Sequence, residues 1–396
     1  MSTITSSIAT AVVAVAIIAA GNVSGRATEP VVGHAYTLTN DGDSNGVVIL
    51  NRLADGTLAE MTGSPVATGG RSLVVPFGGN LDSQGPLRIY GKHLLAANPG
   101  SDSIAVFEIA SSGALKAVAG SPFSSGGSHP MSLAVHGDIV YVANQAVPFA
   151  NPRGSPNITG FRLDKASRLI PIAGSTIEFP LGEGPAQVEF NPSGTVLAVT
   201  AGLVQSDGSV RSFAVQSDGR LKEGPGSPFK VSRASALSGP VGFSWTADGR
   251  RIMVTYFRGS AIRVFSVDPK TAGLTLEGAP YPNQQRAMCW AALGPDGKTL
   301  YVSNYVTNNV SVFSIGVDGT LALIGNSAPK RFSSVPDSKE LQVSADGKFL
   351  YLIGPIATEI AIFSLELEDQ APRELPEGRS PFRLKTGQWT MGLALN

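Results

Sequence analysis

Three features of the sequence predict an all-β protein built from repeats. The first is a block of two apolar, β-branched stretches joined by a polar turn, best developed at residues 300–315. The second is the recurrence of this block, whose second stretch carries Leu50 in the first copy and then Phe107, Phe161, Phe213, Phe265, Phe313 and Phe363. The third is the spacing between copies, which is 48 to 57 residues. Seven copies of such a unit predict a seven-bladed β-propeller with four-stranded antiparallel blades.

A complete unit is predicted to contain four strands in a fixed order. The first strand occurs as Met131–Val135, Gln187–Asn191, Val241–Trp245, Cys289–Leu293 and Leu341–Ala345. A tight turn, often Asp-Gly, leads to the second strand, because glycine accepts the positive φ that hairpin turns need. The phenylalanine-bearing third strand follows a variable loop, and a short fourth strand follows another turn. A Gly-Ser-Pro step, as in Gly120–Pro122, is predicted to end the unit.

The two ends of the repeat are complementary. The first copy begins at its second strand, His34–Leu38, whereas the last copy is followed by a spare strand, Thr390–Leu395. Pairing of these two segments would complete blade one and remove an open sheet edge. Two long loops, Arg71–Gly85 and Ala146–Ser155, interrupt the period.

Composition excludes several classes of protein. The 30 Lys and Arg residues balance 30 Asp and Glu residues and form no basic run, so we expect no nucleic-acid partner. The single cysteine, Cys289, excludes an intrachain disulfide and a zinc site built on several thiolates. No metal-binding or cofactor-binding motif is present, so we expect neither group. We expect a monomer.

The first 27 residues read as a leader. Ala11 to Ala20 form a short apolar core followed by small residues, which is typical of a signal peptide and too short to span a membrane comfortably. An uncleaved anchor and a disordered leader are the alternatives. Residues 28–396 would then form one propeller domain without a membrane span, secreted or periplasmic.

The motifs within the units resemble a known family. Leu300–Asn304 and Asn309–Phe313 look like the second and third strands of the seven-bladed lactonase propellers. That family includes 6-phosphogluconolactonase-like enzymes and 3-carboxy-cis,cis-muconate cyclases. Residues 305–308 also look like the YVTN repeat of cell-surface propellers. The resemblance covers about residues 33 to 396 and implies fold more specifically than activity.

The chain departs from the family at the positions where the resemblance implies catalysis. The family typically shows Gly-Pro-Arg-His before the fourth-blade first strand and Asn-Glu after the next strand. This chain has Ala186 and Gln187 in place of the arginine and histidine, and it has Thr200-Ala201-Gly202 where the Asn-Glu pair is expected. The family's catalytic set therefore cannot be carried over directly.

Other polar residues remain at the channel mouth that the resemblance implies. His129 could act as a general base, and Glu340 as an acid or base. Arg286 could hold a carboxylate or phosphate by two hydrogen bonds. Each of these residues has a structural alternative, as a locally bonded or solvated loop side chain.

Five further residues are candidates for substrate binding. They follow second strands or precede first strands at the same mouth, and they are Asn144, Gln187, Tyr256, Asn304 and Lys339. The asparagines could equally satisfy turn backbone, Lys339 could neutralise Glu340, and Tyr256 could cap a hydrophobic layer.

Two functions follow as hypotheses. The first is a secreted enzyme that hydrolyses a small lactone or cyclises an unsaturated carboxylate. The second is a secreted propeller that has lost this chemistry and binds a ligand or protein. The loss of the family's arginine, histidine and glutamate favours the second, whereas the retained scaffold favours the first.

Overall fold

The computed structural model describes residues 29–73, 83–146, 154–202, 207–366, 371–385 and 389–396. The predicted leader lies outside these residues, as does part of each predicted long loop. The described residues contain strands and turns but no α-helix, and therefore no helix with the length and hydrophobicity to cross a bilayer.

Within the described residues, thirty-three strands form seven antiparallel sheets. Blades one to three contain β1 (Val31–Leu38), β2 (Gly46–Leu53), β3 (Leu58–Glu60), β4 (Val66–Ala67), β5 (Leu87–Tyr90), β6 (His93–Asn98), β7 (Ser103–Ile109), β8 (Leu115–Ala117), β9 (Phe123–Ser124), β10 (Pro130–His136), β11 (Ile139–Asn144), β12 (Asn157–Leu163), β13 (Leu169–Pro171) and β14 (Ile177–Glu178). Blades four and five contain β15 (Pro185–Phe190), β16 (Val196–Ala201), β17 (Gly208–Val215), β18 (Leu221–Glu223), β19 (Phe229–Val231), β20 (Ser238–Trp245), β21 (Arg251–Arg258), β22 (Ala261–Val267) and β23 (Leu274–Pro282).

The remaining strands form blades six and seven and close the ring. They are β24 (Met288–Leu293), β25 (Thr299–Asn304), β26 (Asn309–Ile315), β27 (Leu321–Ser327), β28 (Leu341–Val343), β29 (Phe349–Gly354), β30 (Glu359–Ser364), β31 (Arg373–Glu374), β32 (Phe382–Arg383) and β33 (Met391–Leu395). The seven-bladed propeller predicted from the repeat is confirmed. The inner strands are β33, β5, β10, β15, β20, β24 and β28, in order of blades one to seven.

The C-terminal strand completes blade one, as predicted. β33 pairs antiparallel with β1, with Tyr36 opposite Ala394 and Thr37 opposite Leu393. Met391 and Leu393 are buried in the same hydrophobic cluster as Tyr36. First and last strands of the ring therefore share one sheet, and blade one has an inner strand.

The outer strand of five blades is divided into two pieces, which the sequence prediction missed. The Gly-Ser-Pro steps lie inside this strand rather than at the end of the blade. At each division a serine Oγ accepts a hydrogen bond, 2.9 to 3.1 Å long, from a backbone N–H of the third strand. The serines are Ser64, Ser121, Ser175, Ser227 and Ser380, and their donors are Ile49, Val106, Gly160, Ser212 and Ile362. These serines fasten the interrupted outer strand to its blade.

Contacts between blades bury the repeated aromatic residues. The six third-strand phenylalanines are all buried, and they pack into clusters that include residues of adjacent blades. Three second-strand tyrosines add hydrogen bonds to the turn of the next blade. Tyr36, Tyr141 and Tyr351 donate their hydroxyls to the carbonyls of Gly113, Gly219 and Gly56 at 2.8 to 3.0 Å.

Candidate active site

The inner strands surround the central channel, and their register places equivalent residues in layers. We define the upper layer as Pro86, Ser132, Gln187, Gly242, Trp290, Glu340 and Gly392, near the start of each inner strand. The lower layer lies two residues further along each strand and contains Arg88, Ala134, Glu189, Ser244, Ala292, Gln342 and Ala394. Alternate residues share a face of a strand, so polar side chains of the two layers can meet.

Two upper-layer side chains join neighbouring blades. Gln187 accepts a hydrogen bond from the N–H of Phe243 at 2.8 Å and donates to the carbonyl of Phe243 at 2.9 Å. Glu340 accepts from the N–H of Leu393 at 3.0 Å and from the N–H of Gly85 at 2.9 Å. Phe243 and Leu393 occupy the same register in their blades. A glutamine and a glutamate therefore satisfy the same backbone group in different parts of the ring.

Gly242 has no side chain that could bond the backbone of the next blade. A residue from across the channel makes these hydrogen bonds instead. Gln84, just before β5, accepts from the N–H of Ala291 at 3.1 Å and donates to its carbonyl at 2.6 Å. A Cβ on Gly242 would lie 2.5 Å from the carbonyl oxygen of Cys289, so only glycine fits there. Gln84 thus links blade two to blade six and spans the channel.

A cavity of about 310 Å³ lies in the channel on the hairpin side of this layer. Its lining includes Gln84, Arg88, Glu189, Gln342 and Ser244, together with residues of the hairpins that follow β15 and β20. Cavities of this size can hold a small molecule. Most of the residues that line this cavity come from the second half of the inner strands and from the hairpins that follow. The cavity therefore lies at the end of the channel opposite the mouth that the resemblance implies.

Arg88 and Glu189 are the charged pair of the cavity. A guanidinium nitrogen of Arg88 lies 3.6 Å from the carboxylate of Glu189, whose side chain is 32% exposed. The Nε of Arg88 donates to the carbonyl of Leu133 at 2.9 Å, and Gln187 donates to Glu189 at 3.0 Å. The Nη2 of Arg88 is buried and has no hydrogen-bond partner among the described residues.

Two carboxyl groups near Arg88 have raised pKa values. Burial raises the pKa of Glu340 to about 7, although the Gly85 N–H, the Arg88 charge, the Leu393 N–H and Gln342 act in the opposite direction. Loss of solvent also raises the pKa of Glu189, and Arg88 and Gln187 partly oppose this shift. Carboxyl groups that titrate closer to neutrality than usual can exchange protons with a substrate.

The three predicted catalytic residues have different environments. His129 is buried before β10, with a φ of 60°, and its backbone N–H donates to Asp102 at 2.8 Å. Arg286 is exposed in the loop before β24. The hydrogen bonds of Glu340 go to Gly85, Leu393 and Gln342, not to His129 or Arg286. The catalytic roles assigned to these residues stay predictions.

The predicted asparagines belong to hydrogen-bond networks at strand ends. Asn144 donates to the carbonyl of Ser125 at 3.1 Å and to Asn157 at 2.9 Å. Asn304 donates to Asn309 and Ser311, both at 2.8 Å. These bonds fix the start of the third strand in each blade. A role in substrate binding is untested for both residues.

The remaining predicted residues are all buried. Gln187 lies in the upper layer and contacts the cavity residue Glu189. The ammonium of Lys339 lies 4.0 Å from the centre of the Tyr305 ring, in a cation–π contact. Tyr256 lies in the core rather than at the channel rim, in a cluster with Phe243 and Phe265, because its aromatic ring packs between blades.

Four of the cavity residues, Gln84, Arg88, Glu189 and Gln342, were not among the predicted site residues. Two of them belong to blade two, whose inner strand was not identified because the predicted long loop Arg71–Gly85 precedes it. The polar alternation of Gln187 and Glu189 within an otherwise apolar strand was the signal that could have located the lower layer.

Comparisons with known proteins agree on the architecture. The family model described as "Lactonase, 7-bladed beta-propeller" matches residues 78–180 and 291–375. A search of curated proteins finds no match. A candidate 6-phosphogluconolactonase from Bacteroides fragilis aligns at 18% identity and a TM-score of 0.65, covering 92% of this chain and 98% of its own.

Two other solved structures share the fold. A protein from Lactobacillus plantarum aligns at 17% identity and a TM-score of 0.69, covering 92% of this chain and 99% of its own. The periplasmic gluconolactonase of Pseudomonas aeruginosa aligns at 19% identity and a TM-score of 0.59, covering 72% and 80%. Identities this low establish the shared fold and not a shared substrate. The sequence match over residues 78–180 and 291–375 and the seven-bladed ring together show that this chain is similar to the seven-bladed β-propeller lactonases in part of its sequence and in its fold.

Proposed function

We propose that this protein hydrolyses a small lactone in the channel cavity. The observation that carries the proposal is the pairing of Glu189, a carboxylate of raised pKa, with Arg88 on the wall of a small cavity. The family match and the similarity to lactonase structures support the reaction class. We also retain secretion as a proposal, based on residues 1–27.

Glu189 and Arg88 supply the two groups that lactone hydrolysis needs. Glu189 accepts a proton from water as the water oxygen bonds to the lactone carbonyl carbon. The carbonyl oxygen then carries negative charge, which the positive charge of the Arg88 guanidinium stabilises. The ring C–O bond breaks next, and the ring oxygen takes the proton. The product is an open-chain hydroxy acid.

Cyclisation of an unsaturated carboxylate fits the cavity less well. That reaction needs a cation to hold the carboxylate, and the charge of Arg88 is already balanced by Glu189. A binding module without chemistry is the second candidate. It is favoured by Ala186, which stands at the family's arginine position and packs in an apolar cluster with Val241, Cys289 and Trp290.

Acid release at constant pH from a panel of lactones tests the proposal. We expect turnover by the protein lacking residues 1–27, and a loss of roughly 100-fold or more in kcat for Glu189→Gln, since a general base contributes about that much. Arg88→Met should show a comparable loss. Glu108→Gln is the matched control, because Glu108 is exposed and pairs with Lys92 on the outside of blade two.

The alternative mouth is tested in the same assay. Turnover that collapses in His129→Ala and Arg286→Ala but survives in Glu189→Gln would place the reaction at the opposite end of the channel. Turnover no faster than in buffer alone would favour the binding module.

A further inference from the structure

The charges of the channel cavity restrict the substrate that it can take. Arg88 is the only cation among the described lining residues of the cavity, and Glu189 is its counterpart at 3.6 Å. Glu340 lies behind the wall, fully buried and under the electrostatic influence of Arg88. The positive charge of Arg88 is therefore shared between two carboxyl groups.

The hairpin residues Thr246 and Arg251 add no unpaired positive charge at the cavity. Thr246, at the mouth, donates its hydroxyl to Asp248 at 2.6 Å. Arg251, in the same hairpin, pairs with Glu277 at 2.9 Å. A dianionic phosphate entering here would meet carboxylates and no unpaired cation from these residues.

Neutral polar groups make up the remaining polar lining. Gln342 and Ser244 belong to the lower layer, and Gln84 lies at the closed end. Amides and hydroxyls can exchange hydrogen bonds with the hydroxyl groups of a sugar-like ring without needing a charge. The Arg88 guanidinium can still attract an uncharged carbonyl oxygen through its charge.

We infer that the cavity selects an uncharged, hydroxylated lactone over the same lactone carrying a phosphate. This inference rests on the proposed function, because it assigns a substrate class to the same site. It separates this protein from a 6-phosphogluconolactonase, whose substrate carries a phosphate.

The test compares two substrates and two non-hydrolysable analogues. We expect kcat/KM for an uncharged six-membered sugar lactone to exceed that of its phosphorylated form by at least about tenfold, which corresponds to one unfavourable charge interaction. Added salt should raise kcat/KM only for the phosphorylated lactone, because it screens repulsion. Calorimetry with the two corresponding lactams measures the same preference without turnover.

Ala292→Lys provides a gain-of-function test. Ala292 is a lower-layer residue of the cavity whose flanking layer members, Ser244 and Gln342, are uncharged. Lysine there should move the preference toward the phosphorylated lactone, and Ala292→Gln controls for the added volume. Circular dichroism establishes whether each variant is folded.

The outcomes separate the two proposals. A binding preference for the uncharged lactam without any lactone turnover would support the selectivity and contradict hydrolysis. Faster turnover of the phosphorylated lactone would overturn the selectivity and leave hydrolysis intact. Absence of binding by both lactams, with no turnover of either lactone, would contradict both.

Discussion

Glu340 shows how a single buried carboxyl group can connect three blades. It extends from the start of β28 in blade seven and accepts hydrogen bonds from Leu393 of blade one and from Gly85 at the start of blade two. Gln187 performs a similar task between blades four and five without a charge. The difference matters because burial makes ionisation of Glu340 costly, whereas the glutamine is neutral at every pH.

Replacement of Glu340 by glutamine should reduce the pH dependence of stability. Its pKa is raised from 4.5 to about 7. Between these two pH values the folded state therefore retains a proton that the unfolded chain releases. The stabilisation is full below pH 4.5 and is lost as the pH rises through 7, with a total of about 3 kcal/mol. Urea unfolding at pH 5 and pH 8 should therefore show a larger loss for the wild type than for Glu340→Gln.

The comparison of the two proteins isolates the contribution of Glu340. Burial also raises the pKa of Asp337, to about 6, and this group is common to both proteins. The amide of the variant cannot accept from both backbone donors, so Glu340→Gln should be less stable than the wild type at pH 5. An equal change between pH 5 and pH 8 in both proteins would contradict the assignment.

At the level of elements, the outer strands show how the repeat accommodates interruptions. Five blades have a divided outer strand held by a serine, whereas β23 and β27 run uninterrupted. Each serine satisfies a third-strand N–H that the outer strand no longer reaches. The same residue type at the same place in five blades suggests one shared local role.

Ser121→Ala should destabilise the protein by about 1 kcal/mol. The substitution removes the acceptor of the Val106 N–H. A decrease of this size in the free energy of unfolding is typical for the loss of one hydrogen bond. Ser111→Ala is the control, because Ser111 is exposed in the turn after β7 of the same blade. Denaturant unfolding of both variants measures the difference, and equal stability of the two would argue against a fastening role for Ser121.

At the scale of the molecule, the ring brings together residues that are remote in sequence. Arg88, Glu189 and Gln342 come from blades two, four and seven, and they line one cavity. The candidate active site therefore exists only while the ring is closed. Closure depends on β33, which carries no cavity residue but provides the Leu393 N–H for Glu340.

Deletion of residues 391–396 should destabilise the whole propeller and abolish activity. It removes the inner strand of blade one and the burial of Met391 and Leu393, each of which contributes about 2 kcal/mol. Thermal unfolding measures this loss, and Asn396→Ala serves as a control that retains the strand. An unchanged melting temperature after the deletion would contradict a closing role for β33.

The sequence by itself determined the repeat, the number of blades and the way the ring closes. These features depend on local patterns, since Asp-Gly turns, β-branched strands and spaced phenylalanines act within one unit. It located Gln187 at the start of one inner strand and Glu340 just before another, but it did not identify Arg88, Glu189 or Gln84 as their neighbours. Only the tertiary structure decided which residues face one another across the channel, because that depends on register in seven separate strands. The hydrogen bonds of Gln84 to Ala291, a residue 207 positions away, have no counterpart in any local pattern.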